Sequence, residues 1–251
     1  MSALEYMQKF GQILEKIQTT QAANIQAAAK ACANSIAVGR VAYAFGSGHS
    51  VIPTQDLFPR YGAYVGWRPI MDPRLMWFNI TGPGGARELL WLERTEGYIK
   101  NVLLSYSIEA RDSVLLYSHG GLNAAAIEVA LAFKEKGATV IAVTSVANRA
   151  LNKPTHSSGK TLHDAADIVI DNGCEPEDAL VAVEGRPEKV GGASTIAAMI
   201  ITQALLAETT GELVRMGKTP ERIFVSPNVP GIPADNNARV FEDYQRWINS
   251  L

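Results

Sequence analysis

Two short runs in this chain of 251 residues set glycines beside groups that hydrogen-bond. The first is GSGHS at 46–50, which carries Ser47, Gly48, His49 and Ser50. The second is SHGGLN at 118–123, which carries Ser118, His119 and Asn123. Glycines let backbone amides approach a ligand, hydroxyls add short directional bonds, and a helix N-terminus adds unpaired N–H groups and the positive end of its dipole. Together these suit an anion such as phosphate. A plain turn with helix capping is the alternative for either loop taken alone. A nucleotide is a poor match. GxGxxG needs a third glycine where Val51 stands, and the lysine-bearing loop GxxxxGK[ST] is absent.

Proton transfer beside a carbonyl needs a shielded carboxylate or an imidazole near its reference value of about 6.5. The candidates are Asp56, Glu93, Glu96, His49, His119 and His156. Glu93 and Glu96 are three apart, so on a helix both face one side. Glu96 is the favoured acid/base because Gly97 follows it and leaves room for a ligand, although LERTEG also reads as a solvated helix face. HSSGK at 156–160 joins His156, Ser157, Ser158 and Lys160 in a loop after a strand, with a flexible surface loop as the alternative. His163 reads as structural. Arg60 and Arg68 offer bidentate anion contacts, although surface pairing is their commoner fate. His49 and Asp56 lack ligand-type spacing such as HxxxH, so neither metal nor cofactor is expected.

The elements that must hold these groups alternate. Leu4, Met7, Phe10, Leu14 and Ile17 mark a helical face, and an alanine-rich stretch extends it or adds a second helix ending near Gly39. Residues 41–45 and 113–117 read as buried parallel strands, and 64–71 as a weak or edge strand because of Pro69. Residues 88–106 have helical character, and 123–136 a strong helix stopped by Gly137. Strands follow at 138–145 and 166–172, then helices at 195–216 and 236–248. Strand–helix alternation predicts a parallel sheet covered on both faces, with ligands at the carboxyl ends of the strands. Both glycine-rich loops lie there.

Composition bounds the partners. There are 23 basic and 25 acidic residues and no Lys/Arg run, so the footprint of a nucleic-acid binder is missing. No secretory signal or 18-residue apolar run is present, so no membrane partner and a cytoplasmic location are expected. The two cysteines, Cys32 and Cys174, have no metal-type spacing.

The combination of GSGHS, LFPRYG, LERTEGY, SHGGLN, KEKGATVIAVTS, HSSGK, DNG and SPNVPG…DNNA resembles the sugar isomerase (SIS) domain family. The likeness covers almost the whole chain and is narrowest to stand-alone SIS proteins labelled phosphoheptose-isomerase-like. It implies an α/β fold, a three-layer α/β/α sandwich with a five-stranded parallel sheet, in one domain with N- and C-terminal helical segments around a core at 40–217. It also implies a homodimer, or a dimer of dimers, binding a small-molecule sugar phosphate. Residues that hold phosphate in that family map onto Ser50, Ser118, His119 and Asn123. The chain departs from the family at Gly120, where a second serine belongs, and at Gln55 and Asp56, where relatives carry two glutamates.

The resulting expectation is an aldose–ketose isomerase of a sugar phosphate. Ser47, Gly48, Ser50, Ser118, His119 and Asn123 would cradle the anion, Asp56, Ser157, Ser158 and Lys160 would contact substrate, and Glu96, His49 and His156 would act in catalysis. An amino-sugar-phosphate etherase or lyase shares the C2 proton chemistry. A non-catalytic sugar-phosphate sensor acting through a protein partner is the alternative of another class.

Overall fold

Short apolar runs, each ended by glycine or a polar turn, form the strands of a parallel sheet. The computed structural model describes residues 2–76 and 85–251. The strands are β1 (Ala42–Gly46), β2 (Trp67–Pro69), β3 (Ser113–Tyr117), β4 (Thr139–Thr144) and β5 (Ile168–Asp171). They lie in the order β2-β1-β3-β4-β5, and every neighbouring pair is parallel. In chain order the helices are α1 (Ser2–Thr20), α2 (Ala22–Ala37), α3 (Val51–Gln55), α4 (Gly85–Leu92) and α5 (Tyr98–Leu103). They continue with α6 (Ala124–Glu135), α7 (Val146–Leu151), α8 (Leu162–Ala165), α9 (Ser194–Arg215) and α10 (Asn236–Ile248). An antiparallel hairpin, β6 (Ala179–Ala182) and β7 (Lys189–Gly192), precedes α9.

The central strands β1, β3 and β4 are buried on both faces, and the side chains divide by parity. Ala42, Ala44, Leu115, Tyr117, Ile141, Val143 and Ile170 face a core shared with Ile13, Ile17, Cys32, Ile201 and Leu205. Val41, Tyr43, Phe45, Val114, Leu116, Val140 and Ala142 face a second core shared with Leu89, Ile99, Val129 and Phe133. The period of two that sends alternate side chains to opposite faces therefore produces three layers from one sheet. α1, α2 and α9 cover one face, and α4, α5, α6 and α8 the other. Among the described residues, no helix is long and apolar enough to cross a membrane.

Two sequence expectations change here. The stretch 88–106 is not one helix. α4 stops at Leu92, Gly97 adopts φ +85° at the start of α5, and the four residues between form a turn. Glu93 and Glu96 consequently do not share a helix face; Glu93 is buried and Glu96 exposed. The expected strand at 64–71 shrinks to Trp67–Pro69 at the sheet edge, where Pro69 needs no partner for its missing N–H. The β6–β7 hairpin lies in 174–192, where charged residues and three glycines mask any strand alternation.

Strand order places the topological switch between β1 and β3, since the chain leaves β1 for one edge and builds from β3 toward the other. The loops after these strands, 47–50 and 118–123, are thus side by side. The first bends so tightly that a Cβ on Gly46 would stand 2.2 Å from the Ser50 carbonyl oxygen. Gly46→Ala is expected to cost about 2–3 kcal/mol in urea unfolding. Gly11→Ala in α1, where nothing lies within 4 Å, should instead stabilise by about 0.5–1 kcal/mol. Equal effects at the two positions would contradict the packed-turn account.

Candidate functional site

The centre of the switch region is filled by a carboxylate of the protein. Glu93 follows the last residue of α4, and its backbone carbonyl accepts the Ala125 N–H at 3.0 Å, tying that turn to the first turn of α6. Its side chain accepts the Ser47 hydroxyl at 2.6 Å and also hydrogen-bonds Asn123. Ser47 and Asn123, both expected to cradle a ligand anion, are therefore engaged with Glu93. Burial pushes the Glu93 carboxyl above the ordinary range, opposed by Ser47, the nearby Arg94 charge and Asn123.

The remaining cradle residues surround a small void. Ser50, Ser118, His119, Ser194 and Thr195 line a space of about 10 Å³. That is room for one water or one ligand oxygen, not for a phosphate group. Ser118 is buried, and its hydroxyl accepts the Gly121 N–H at 3.2 Å. The His119 ring is oriented by Asn172. Asn172 Oδ1 accepts the Cys174 N–H at 3.0 Å, so its Nδ2 is turned toward His119 Nδ1, 3.1 Å away. The neutral ring then carries its proton on Nε2. Nε2 is buried and has no hydrogen-bond partner among the described residues, and the residue lines the oxygen-sized space.

A larger pocket of about 350 Å³ opens on the other side of the second loop. Arg94, Glu96, Leu122, Asn123, Ala124, Thr155 and His156 line it. Three elements converge there: the α4–α5 turn, the N-terminus of α6 and the loop after α7. That loop is tied to the second glycine-rich loop, since the Thr155 hydroxyl donates to the Leu122 carbonyl at 3.1 Å and Leu162 N–H to the Gly121 carbonyl at 2.8 Å. Glu96 accepts the Ser157 N–H at 2.7 Å on Oε1 and the Ser157 hydroxyl on Oε2. The hydroxyl first, then the amide, holds its carboxyl below the ordinary range. His156 Nε2 lies 3.7 Å from Glu96 Oε2, while Ser158 Oγ stands 2.8 Å from Nδ1.

Thus Glu96, Asn123 and His156, separated by up to 60 residues, meet in one pocket, with Ser157 and Ser158 supporting two of them. Other candidates lie elsewhere. Gly48 and His49 form the 3-10 turn after β1, with His49 exposed. Asp56 accepts Gln203 Nε2 at 2.6 Å and pairs with Arg60 at 2.9 Å, which anchors α3 to α9. Lys160 is exposed, and Arg68 lies 4.8 Å from the Tyr106 ring centre. Arg94 and Thr155 belong to the pocket, and Glu128 lies 3.9 Å from His156. Sequence reasoning missed all three. A lone acid inside AAAIEVALAF was the available signal for Glu128.

The buried Glu93 generates a pH prediction. Its folded-state value exceeds the unfolded one of about 4.3, so the folded chain holds the proton more tightly. The stability this group contributes is full below that unfolded value and is lost as pH rises through the folded value. Glu93→Gln should therefore gain stability relative to the parent chain between pH 4 and pH 7.5 in urea titrations. A difference that is flat with pH, or shrinks as pH rises, would contradict the assignment.

Comparison with known proteins agrees with this architecture. Residues 5–145 match the SIS domain family. A UPF0309 protein of Thermoanaerobacter pseudethanolicus is 32% identical over 252 residues, covering 99% of each chain. One from Oceanobacillus iheyensis is 34% identical over 98% of each. Among solved structures, phosphoheptose isomerase GmhA from Neisseria gonorrhoeae superposes with a TM-score of 0.54 at 13% identity, over 82% of this chain and 96% of that one. A phosphoheptose isomerase from Francisella tularensis gives 0.50 at 16% identity, over 83% and 98%. The five-stranded parallel sheet between helical layers is the fold these structures share, and the chain belongs to the SIS domain family, alongside the UPF0309 proteins.

Proposed function

We propose that the 350 Å³ pocket binds a phosphorylated sugar and that the chain isomerises it between aldose and ketose. The observation carrying this reading is the meeting of an anion-attracting half and a proton-transferring half in one pocket. Leu122, Asn123 and Ala124 bring the α6 N-terminus and its dipole to one side, and the Arg94 guanidinium adds a full charge. Glu96 and His156 form the other side. The names of the two superposed phosphoheptose isomerases support the same substrate class.

In this reading the ionised Glu96 takes the proton from C2, and the electron pair of the broken C–H bond enters the C1–C2 bond. The carbonyl oxygen at C1 takes the Nε2 proton of His156 as the enediol forms. Glu96 then returns its proton to C1, and the C2 hydroxyl returns one to His156 as the ketone forms. No group is consumed. A substrate oxygen at a hydrogen-bond distance of about 2.8 Å from both Glu96 Oε2 and His156 Nε2 fits over their 3.7 Å separation. His119 Nε2 would receive a single further oxygen. The homodimer and cytoplasmic location belong to the same reading. Exposed Leu4, Met7, Ile196 and Val214 on α1 and α9 support a second copy covering those helices.

One observation favours a second reading, a sugar-phosphate sensor without turnover. Ser157 occupies both oxygens of Glu96 and makes it a weaker base. Two variants test these readings. A phosphorylated hexose should raise the melting temperature where the free hexose does not, and Arg94→Ala should weaken that binding about tenfold or more. Glu96→Gln should lower turnover by at least about 100-fold while affinity stays within a few-fold. Sugars that bind equally well with and without phosphate would overturn the assignment; binding with no turnover in the parent chain would favour the sensor.

A further inference from the structure

A buried carboxylate that the reaction above does not use sits beside the pocket. Glu128 projects from α6 with its side chain only 3% exposed, on a helix whose other buried residues are alanines, Ile127, Val129 and Phe133. A charge in such surroundings is costly unless it is paired. Its Oε1 accepts the Gly97 N–H at 2.7 Å and lies 3.9 Å from His156 Nε2 and 3.4 Å from Lys100 Nζ. Lys100 is 70% exposed, so its screened charge does not by itself account for the placement.

Two buried atoms here lack hydrogen-bond partners among the described residues, Glu128 Oε2 and His156 Nε2. The His156 side chain is 6% exposed. Its ring is set from the far side, because the Ser158 N–H donates to Nδ1 at 3.1 Å. Nδ1 is thus an acceptor, and the neutral ring carries its proton on Nε2. Nε2 stands 3.9 Å from Oε1 of the buried Glu128 and 3.7 Å from Oε2 of the pocket residue Glu96.

We propose that Glu128 is the positioning residue for this pair. Through the Gly97 amide it fixes the turn that carries Glu96, and across 3.9 Å its charge favours the ring form with the proton on His156 Nε2. The inference rests on the reading of Glu96 and His156 as the reactive pair, but its test needs no ligand. In proton NMR of the full-length chain, the His156 Nε2–H signal should be observable in the parent protein and in Glu128→Asp, which keeps the charge. It should be lost to water exchange in Glu128→Gln, where the Gly97 amide should also exchange about tenfold faster. A purely structural role would lower the melting temperature and leave these two protons as they were. A Nε2–H equally visible in Glu128→Gln overturns the proposal. If that variant does not fold, the parent and Glu128→Asp decide, since a Nε2–H absent from either also overturns it. Failure of every sugar phosphate to bind would remove the proposed function while leaving this coupling measurable.

Discussion

One buried carboxylate organises the region where this sheet can hold a ligand. Glu93 accepts the Ser47 hydroxyl from the loop after β1, hydrogen-bonds Asn123 from the loop after β3, and takes the Ala125 amide on its own backbone carbonyl. A carboxyl group out of water is tolerable only with such partners, and the side-chain bonds to Ser47 and Asn123 offset part of the cost of burying it. The three contacts tie both switch-point loops to the end of α4. They also use groups that a ligand anion would otherwise have used, which leaves an oxygen-sized void between Ser50 and Ser118 and a larger pocket beyond Asn123.

Charge is sorted within that larger pocket. Arg94 and the α6 N-terminus bring positive potential, while Glu96 and the nearby Glu128 bring negative charge to the same nitrogen of one imidazole, Nε2. A ligand with an anionic end and a hydroxyl-rich end matches both halves at once. The loop that delivers His156 is not an independent flap. Thr155 and Leu162 bond it to the second glycine-rich loop, and Ser157 and Ser158 orient Glu96 and His156. Within HSSGK, His156 reaches the pocket while Ser157 and Ser158 back Glu96 and His156.

The sheet is legible in the sequence wherever apolar runs are short and end at glycines, as at 113–117, because a buried parallel strand leaves few other choices. The break after Leu92 is not legible by periodicity. Leu89, Leu92, Ile99 and Leu103 keep helical spacing straight across it, and all four pack into the same core. Only Gly97, with its positive φ, carries the signal. The same break decides which of Glu93 and Glu96 is buried, so the choice between them lies beyond residue spacing. Likewise the residue types at Glu96, Asn123 and His156 suggest chemistry, but their meeting depends on strand order and on two loops bonding to each other. Glu128 hides in a helix whose alanines and branched side chains make any acid look incidental.

Amide chemical-shift mapping reads directly where the ligand lands. A hexose 6-phosphate added to the labelled chain should shift Arg94, Leu122, Asn123, Ala124 and His156 most, and the same hexose without phosphate should leave them nearly unmoved. Shifts centred instead on Ser50, Ser118 and Thr195, or identical responses to the two sugars, would contradict the account.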